Sequence, residues 1–179
     1  MSIPAYITTP IGIDKPIQGL QKYLTANISW LTDSFGRAYK NIDRDGKFYP
    51  EVFNSDNEYI NVLANDFVSG MSFFEVVNDF DKNIGLNYDT TVRLIVYVKL
   101  DKAKPSILNS ADENIVQEVV NGINNYANGS ELTKVVKGIK NVYRDYNLNF
   151  NEAIADTHPN FVCAFEMSLN YDYQNSESC

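Results

Sequence analysis

Residues 161–173 read FVCAFEMSLNYDY, and apolar and polar side chains alternate along most of this stretch. A β-strand directs successive side chains to opposite faces of its sheet, so the alternation predicts one long strand with one buried face. The predicted inward face consists of every second residue: Phe161, Cys163, Phe165, Met167, Leu169, Tyr171 and Tyr173.

A second strand is predicted at 91–100, where Val92, Leu94, Val96, Val98 and Leu100 occupy one face. The opposite face mixes polar with apolar residues: Arg93, Ile95, Tyr97 and Lys99. Such a mixture is typical of a half-exposed antiparallel strand. Residues 73–77 (FFEVV) predict a further strand, and aromatic and β-branched residues flank a turn at 43–46, so 35–53 predicts a hairpin.

Three helices are predicted from apolar spacings of three and four residues. The first covers 16–32, because Ile17, Leu20, Leu24, Ile28 and Leu31 share one face. The second covers 111–127, after a capping box formed by Ser110 and Glu113. The third follows Ser130 and extends to residue 140; beyond Gly138 the pattern also permits a strand. These elements together predict an α+β fold, an antiparallel sheet with helices packed on one face.

Size and composition predict one packed domain. The chain has 179 residues, of which 44% are hydrophobic and 13% aromatic, too much apolar surface for a disordered segment. We expect a single domain over 1–179, with an extended arm at about 1–13 and a short polar tail at about 174–179. No signal peptide or membrane-spanning run is recognisable, so the sequence predicts a protein made in the cytoplasm.

Charge and residue content argue against several function classes. The net charge of −8 disfavours sequence-specific nucleic-acid binding, which needs a basic face. One histidine, His158, and two cysteines, Cys163 and Cys179, cannot form a Cys/His zinc site or a disulfide framework within one chain. Glycine-rich phosphate-binding motifs are missing, so we expect no nucleotide, metal or other cofactor.

Residues 41–46 (NIDRDG) resemble the first half of a calcium-binding loop, with oxygen ligands at positions 1, 3 and 5 and glycine at position 6. Position 12 of the loop is Val52, where a bidentate glutamate is needed, and Glu51 comes one residue early. The motif therefore favours a hairpin turn over a calcium site.

His158 is the candidate general base. It lies in Asp156-Thr157-His158-Pro159, just before the terminal strand, where its imidazole could pair with an acid. No nucleophile elbow accompanies it, and Cys163 falls on the predicted apolar face. A histidine that hydrogen-bonds its own loop is the favoured interpretation, and a small enzyme or ligand-binding module that uses His158 is the alternative.

Two segments are candidate subunit contacts. Lys134, Lys137, Lys140 and Arg144 form a basic stripe in an acidic protein, which could meet an acidic patch on a neighbouring subunit or be an ordinary solvated surface. The arm has no helical period and becomes ordered only against another surface. We therefore select Ile3, Tyr6 and Ile7 of the arm, together with Tyr171 and Tyr173 of the terminal strand, as contact candidates.

Four segments resemble neck or tail ring proteins of the crAss-like phages that infect Bacteroidetes. They are 17–24 (IQGLQKYL), 35–39 (FGRAY), 58–66 (EYINVLAND) and 156–159 (DTHP). The resemblance implies a small α+β virion subunit, similar to tail-terminator or head-completion proteins, that forms a homo-oligomeric ring and joins head to tail. It implies portal, neck or tail proteins as neighbours, and it brings no catalytic residues. A non-virion phage protein that acts on the host is a further alternative.

Overall fold

The computed structural model describes residues 4–42, 44–54, 58–62, 67–77, 81–82, 87–107, 109–126, 130–146 and 157–172, with the backbone alone at 81, 82 and 87. The α-helices in this part of the chain are α1 Asp14–Asn27, α2 Leu100–Ala103, α3 Ala111–Asn125 and α4 Ile139–Val142. The strands are β1 Asp33–Arg37, β2 Tyr39–Ile42, β3 Phe48–Phe53, β4 Tyr59–Asn61, β5 Gly70–Val76, β6 Asp81–Lys82, β7 Asn87–Lys99, β8 Glu131–Lys137 and β9 Asn160–Asp172.

β7 and β9 form the centre of the main sheet. They pair antiparallel along their whole length, from Asn87 opposite Asp172 to Lys99 opposite Asn160. The strand order is β1-β5-β7-β9-β8, and β6 pairs with one end of β7. β1 runs parallel to β5, whereas the other neighbours are antiparallel. The long strands predicted from the two alternating stretches are thus confirmed, while the predicted all-antiparallel pairing is wrong at β1.

The first face of the main sheet is apolar and lies beneath α1 and α3. The predicted inward residues of β7 and β9 pack here against both helices, among them Leu94, Val96, Phe165 and Met167. Leu20 and Leu24 of α1 and Ile115 and Ile123 of α3 close this first core. At about 25 cal/mol per Å² of apolar surface removed from water, burial of this kind is the main stabilising term of such a fold.

The ends of the two predicted long helices differ from expectation. α1 ends at Asn27, although Ile28 and Leu31 continue its apolar spacing. Both side chains are still buried in the first core, but they belong to the turn that follows the helix. The predicted capping box is wrong: Ser110 adopts a left-handed conformation with φ 57° and makes no side-chain cap. Glu113 instead forms an ion pair with Lys137 of β8.

The second face of the main sheet is also covered, which corrects the predicted half-exposed face of β7. Arg93, Ile95 and Tyr97 are each at most 1% exposed. They lie beneath the small sheet, of which Val52 is fully buried, and beneath α4 with the turn that follows it. α4 therefore lies on the face opposite α1 and α3, so the prediction that the helices share one face is wrong for α4.

β2, β3 and β4 form a small antiparallel sheet in that order. β2 and β3 are the predicted hairpin, with Ile42 opposite Phe48, and Gly46 takes a φ of 76° in the connection. Such a positive φ costs glycine little and strains other residues, which explains the glycine at this turn.

The helix predicted from Ser130 to residue 140 is wrong, because residues 131–137 form β8, paired with β9. Leu132 lies opposite Met167 and Lys134 opposite Glu166, so Thr133 is the extra residue of a β-bulge. The bulge returns Leu132 and Val135 to the same face of the sheet, three residues apart, and so mimics helical spacing. α4 begins after Gly138, which turns the chain with a φ of 85°.

The two edges of the main sheet differ in what lies beyond them. Beyond β1 lies the arm: Pro4 bridges Ser34 in parallel, and the Ala5 amide donates to the Ser34 carbonyl at 2.9 Å. Gln21 of α1 donates from Nε2 to the Ala5 and Ser34 carbonyls at 3.0 and 2.8 Å. β8, at the other edge, is followed by no further strand in the described part of the chain.

The chain has the predicted α+β fold, in which a mixed main sheet is covered by long helices on one face and by a small sheet on the other. Among the residues that the structure describes, no helix is long and apolar enough to cross a membrane.

Candidate functional surfaces

Arg93 is the most buried charge of the described residues and lies at the centre of a row across three strands. Glu75 of β5 and Glu166 of β9 are its direct neighbours in register. Its Nη1 donates to Glu75 at 3.1 Å and to Asp145 at 3.2 Å, and its Nη2 donates to Glu166 at 3.0 Å. A buried guanidinium is costly without partners, and here three carboxylates surround it.

The carboxylates of this cluster differ in their pKa. Burial raises the pKa of Glu75 above its usual value, and the nearby charge of Arg93 offsets this only in part. Burial also acts to raise the pKa of Asp145, but the hydrogen bond and charge of Arg93 outweigh it and hold that pKa below the usual range. Burial and then the charge of Glu75 raise the pKa of Tyr146.

A cleft of about 530 Å³ opens over this cluster, between β2, the end of β5 and the turn after α4. Its charged lining residues are Arg37, Lys40, Glu75, Arg144 and Asp145. Arg37 is held by Asp14 at 2.8 Å, and Lys40 lies 5.5 Å from the centre of the Tyr146 ring. Three cations and two carboxylates line the cleft, and none of the described lining residues is a serine, cysteine or histidine. The cluster therefore fits a structural ion network that joins three strands to the α4 turn.

His158 is exposed in the loop before β9 and borders a pocket of about 160 Å³, together with Leu100, Asp101 and Lys104. Its proposed acidic neighbour, Asp156, lies outside the described residues. Cys163 is fully buried in the first core, where burial raises the pKa of its thiol. Within the described residues, the structure thus does not bring the exposed His158 to an accessible thiolate.

The candidate calcium loop is the connection of the β2–β3 hairpin. Its first ligand candidate, Asn41, instead donates to the Glu51 carboxylate across the hairpin, and Asp43 lies outside the described residues. No group of three or more His, Cys, Asp or Glu side chains suited to a metal ion occurs among the residues that the structure describes.

The predicted basic stripe is divided between a strand and a helix. Lys134 and Lys137 belong to β8, Lys140 to α4 and Arg144 to the turn that follows it; we call these four residues the basic edge. Lys134, Lys137 and Arg144 line a groove of about 320 Å³. Lys137 pairs with Glu113, and Arg144 approaches Asp145 and Glu166 at 3.5 and 3.6 Å.

An exposed aromatic surface on the small sheet was missed by sequence reasoning. Residues directly opposite in an antiparallel pair share a face, and the pairs Tyr39–Glu51, Phe53–Tyr59 and Glu51–Asn61 place five side chains together. With Asn41 they form what we call the aromatic face. Tyr39 and Tyr59 are 39% and 50% exposed, with ring centres 5.6 Å apart.

The register of the hairpin could have revealed this face, since Tyr39 and Asn41 alternate with Lys40 and Ile42. Similarly, an arginine amid the apolar run 92–98 signals a buried charge network. The sequence does not show which face of the small sheet turns outward, because that depends on Val52, which packs with side chains of the main sheet.

The other contact candidates have partners within the chain. The Ile7 amide donates to Gln18 Oε1 at 2.6 Å, and Lys22 Nζ lies 5.2 Å from the Tyr6 ring centre. Tyr171 is only 7% exposed and stacks on Tyr88, so it offers a neighbour little surface. Ile3 and Tyr173 lie outside the described residues.

The chain is thus an α+β protein with a mixed sheet, an internal ion network and two outward surfaces, one basic and one aromatic. Comparison with protein-family models, curated proteins and solved structures finds no match.

Proposed function

We propose that this chain is a phage virion structural protein, a subunit that assembles with copies of itself into a ring in the neck or tail, as a head-to-tail connector or tail terminator. Portal, neck or tail proteins would then be its neighbours in the virion. The proposal combines the resemblance of the four sequence segments with one structural observation, the unequal edges of the main sheet.

The edge at β1 is covered by the chain's own arm, whereas the edge at β8 is followed by no strand in the described residues. An uncovered edge strand carries a row of backbone amides and carbonyls that can pair with another chain. A second β8 paired antiparallel about Lys134 would bring the two Lys134 side chains together, and this contact between like charges opposes self-pairing. A neighbour that presents a different, acidic surface avoids this repulsion.

Charge supports a contact between unlike surfaces. The chain carries a net charge of −8, yet three cations of the basic edge, Lys134, Lys137 and Arg144, line one groove. A contact between two different surfaces of the same protein is heterologous, and repetition of it produces a closed ring or an open filament. No catalytic role is proposed, because neither His158 nor the charged cleft combines a nucleophile with a base.

The test is electron microscopy and light scattering of the purified full chain over a concentration series, at low and at high salt. We expect closed rings or ring fragments that grow with concentration and weaken with salt, because screening shortens the reach of surface charges. A monomer at every concentration and salt would overturn self-assembly. Absence of the chain from purified particles would favour the alternative of a protein that acts on the host.

A further inference from the structure

The aromatic face exposes large rings to solvent. Phe53 and Tyr59 meet edge to face at 5.9 Å, and Tyr59 meets Tyr39 at 5.6 Å, so the rings form one continuous patch. Arg37 lies 4.7 Å from the centre of the Tyr39 ring and shows that a cation stacks on this patch within the chain. Tyr59 remains half exposed.

The chemistry of this face complements the basic edge. Aromatic rings attract cations through their negative faces, and aromatic residues are enriched where proteins bind one another. Glu51 belongs to the face, and Glu58, which is exposed, directly precedes β4. Opposite it would stand Lys134 and Lys140, which form no ion pair with any residue that the structure describes.

Arg144 of the basic edge and Tyr39 of the aromatic face line the same cleft. In the described part of the chain, however, no hydrogen bond or ion pair joins Lys134 or Lys140 to Glu51 or Glu58. β8 contacts β9, α3 and α4, whereas the small sheet contacts β1. A contact of Lys134 and Lys140 with Glu51 and Glu58 would therefore join two copies of the chain.

We propose that the basic edge of one copy docks on the aromatic face of the next, with Lys134 and Lys140 placed against Tyr59, Glu51 and Glu58. This inference rests on the proposed function and names the surface that faces β8. Each copy uses one surface of each kind, so the contact is heterologous and can repeat around a ring.

The test exchanges charges between the two surfaces. One variant reverses the basic edge with Lys134→Glu and Lys140→Glu, and the other reverses the aromatic face with Glu51→Lys and Glu58→Lys. A control with Lys22→Glu and Lys102→Glu changes the net charge as much as the first variant does, at exposed positions outside both surfaces. Sedimentation velocity at fixed low salt measures the assembly of each protein and of mixtures.

Each reversed variant alone should associate at least about tenfold more weakly than the wild type, because like charges then face each other. An equimolar mixture of the two should regain assemblies larger than dimers, since every contact in an alternating chain again joins opposite charges. The control should assemble like the wild type. Recovery on mixing also shows that both variants are folded.

Two results would overturn the inference and leave the proposed function standing. In the first, the reversed variants assemble like the wild type. In the second, the mixture stops at dimers, which indicates that β8 of one copy pairs with β8 of the other. A wild type that never assembles would overturn the proposed function and this inference together.

Discussion

The two faces of the main sheet stabilise the protein in different ways. The first face holds apolar side chains of β7 and β9 beneath α1 and α3, and it is closed within one chain. The second face holds Arg93 and its carboxylates, and its cover, the small sheet, turns exposed rings outward. The comparison shows that the first side of the fold buries its apolar side chains within the chain, whereas the cover of the second side leaves aromatic rings exposed.

The largest expected effect is on the first face. Phe165→Ala, at a fully buried ring, should lower the free energy of unfolding by about 3–5 kcal/mol, because it removes apolar contacts and leaves a cavity. Ile42→Ala, at a 62% exposed side chain of β2, is the control and should change it by less than about 0.5 kcal/mol. Urea denaturation measures both, and equal losses would contradict the account of the first core.

On the second face, Arg93→Ala should cost about 3 kcal/mol, because Glu75 and Glu166 would remain buried without their cation. Replacement of all three by apolar residues, Arg93→Met with Glu75→Leu and Glu166→Leu, should recover most of this loss. Denaturation of the single and triple variants distinguishes them. A triple variant as unstable as Arg93→Ala would show that the ion network stabilises the fold more than apolar side chains in its place do.

The pH dependence sharpens the comparison, because the second face has two carboxylates whose pKa values shift in opposite directions. The folded state raises the pKa of Glu75 and so favours its protonated form. The contribution of Glu75 to stability therefore falls as pH rises through that raised pKa. Glu75→Gln removes this loss, so its stability relative to wild type should increase from acid to neutral pH.

Asp145 should behave in the opposite way. Its pKa is lowered in the folded state, so it contributes stability that is present above the usual carboxyl pKa and is lost as pH falls through the lowered value. The stability of Asp145→Asn relative to wild type should therefore decrease from acid to neutral pH. Denaturation series from pH 3 to 8 compare the two variants, and slopes of the same sign would contradict these assignments.

The smallest effect on stability should come from the aromatic face. Tyr59→Ala removes a half-exposed ring, and we expect a change in unfolding free energy within about 1 kcal/mol. Self-assembly should nevertheless weaken. Phe67→Ala, at a 93% exposed ring outside the aromatic face, is the matched control and should leave assembly unchanged. Calorimetry measures the change in unfolding free energy, and sedimentation measures the change in assembly. A loss of assembly in Phe67→Ala would contradict a specific role of the aromatic face.

Local patterns predicted the first face and its helices because their periods report directly on burial. Cys163, Phe165 and Met167 alternate, and all three lie in the first core. The predictions were wrong where tertiary contacts, and not the local period, determine the structure. The bulge at Thr133 gave β8 a helical spacing, and Ile28 and Leu31 are buried from a turn. The Arg93 cluster depends on the register of three strands, which one strand's sequence does not reveal.

Zero-length carbodiimide cross-linking of the assembled protein, prepared from equal amounts of isotopically light and heavy chains, tests the central claim most directly. Cross-links that join a light to a heavy peptide report contacts between copies. We predict such links from Lys134 or Lys140 to Glu51 or Glu58. Assemblies whose links between copies involve other surfaces, with none from β8 or α4 to the small sheet, would contradict the account.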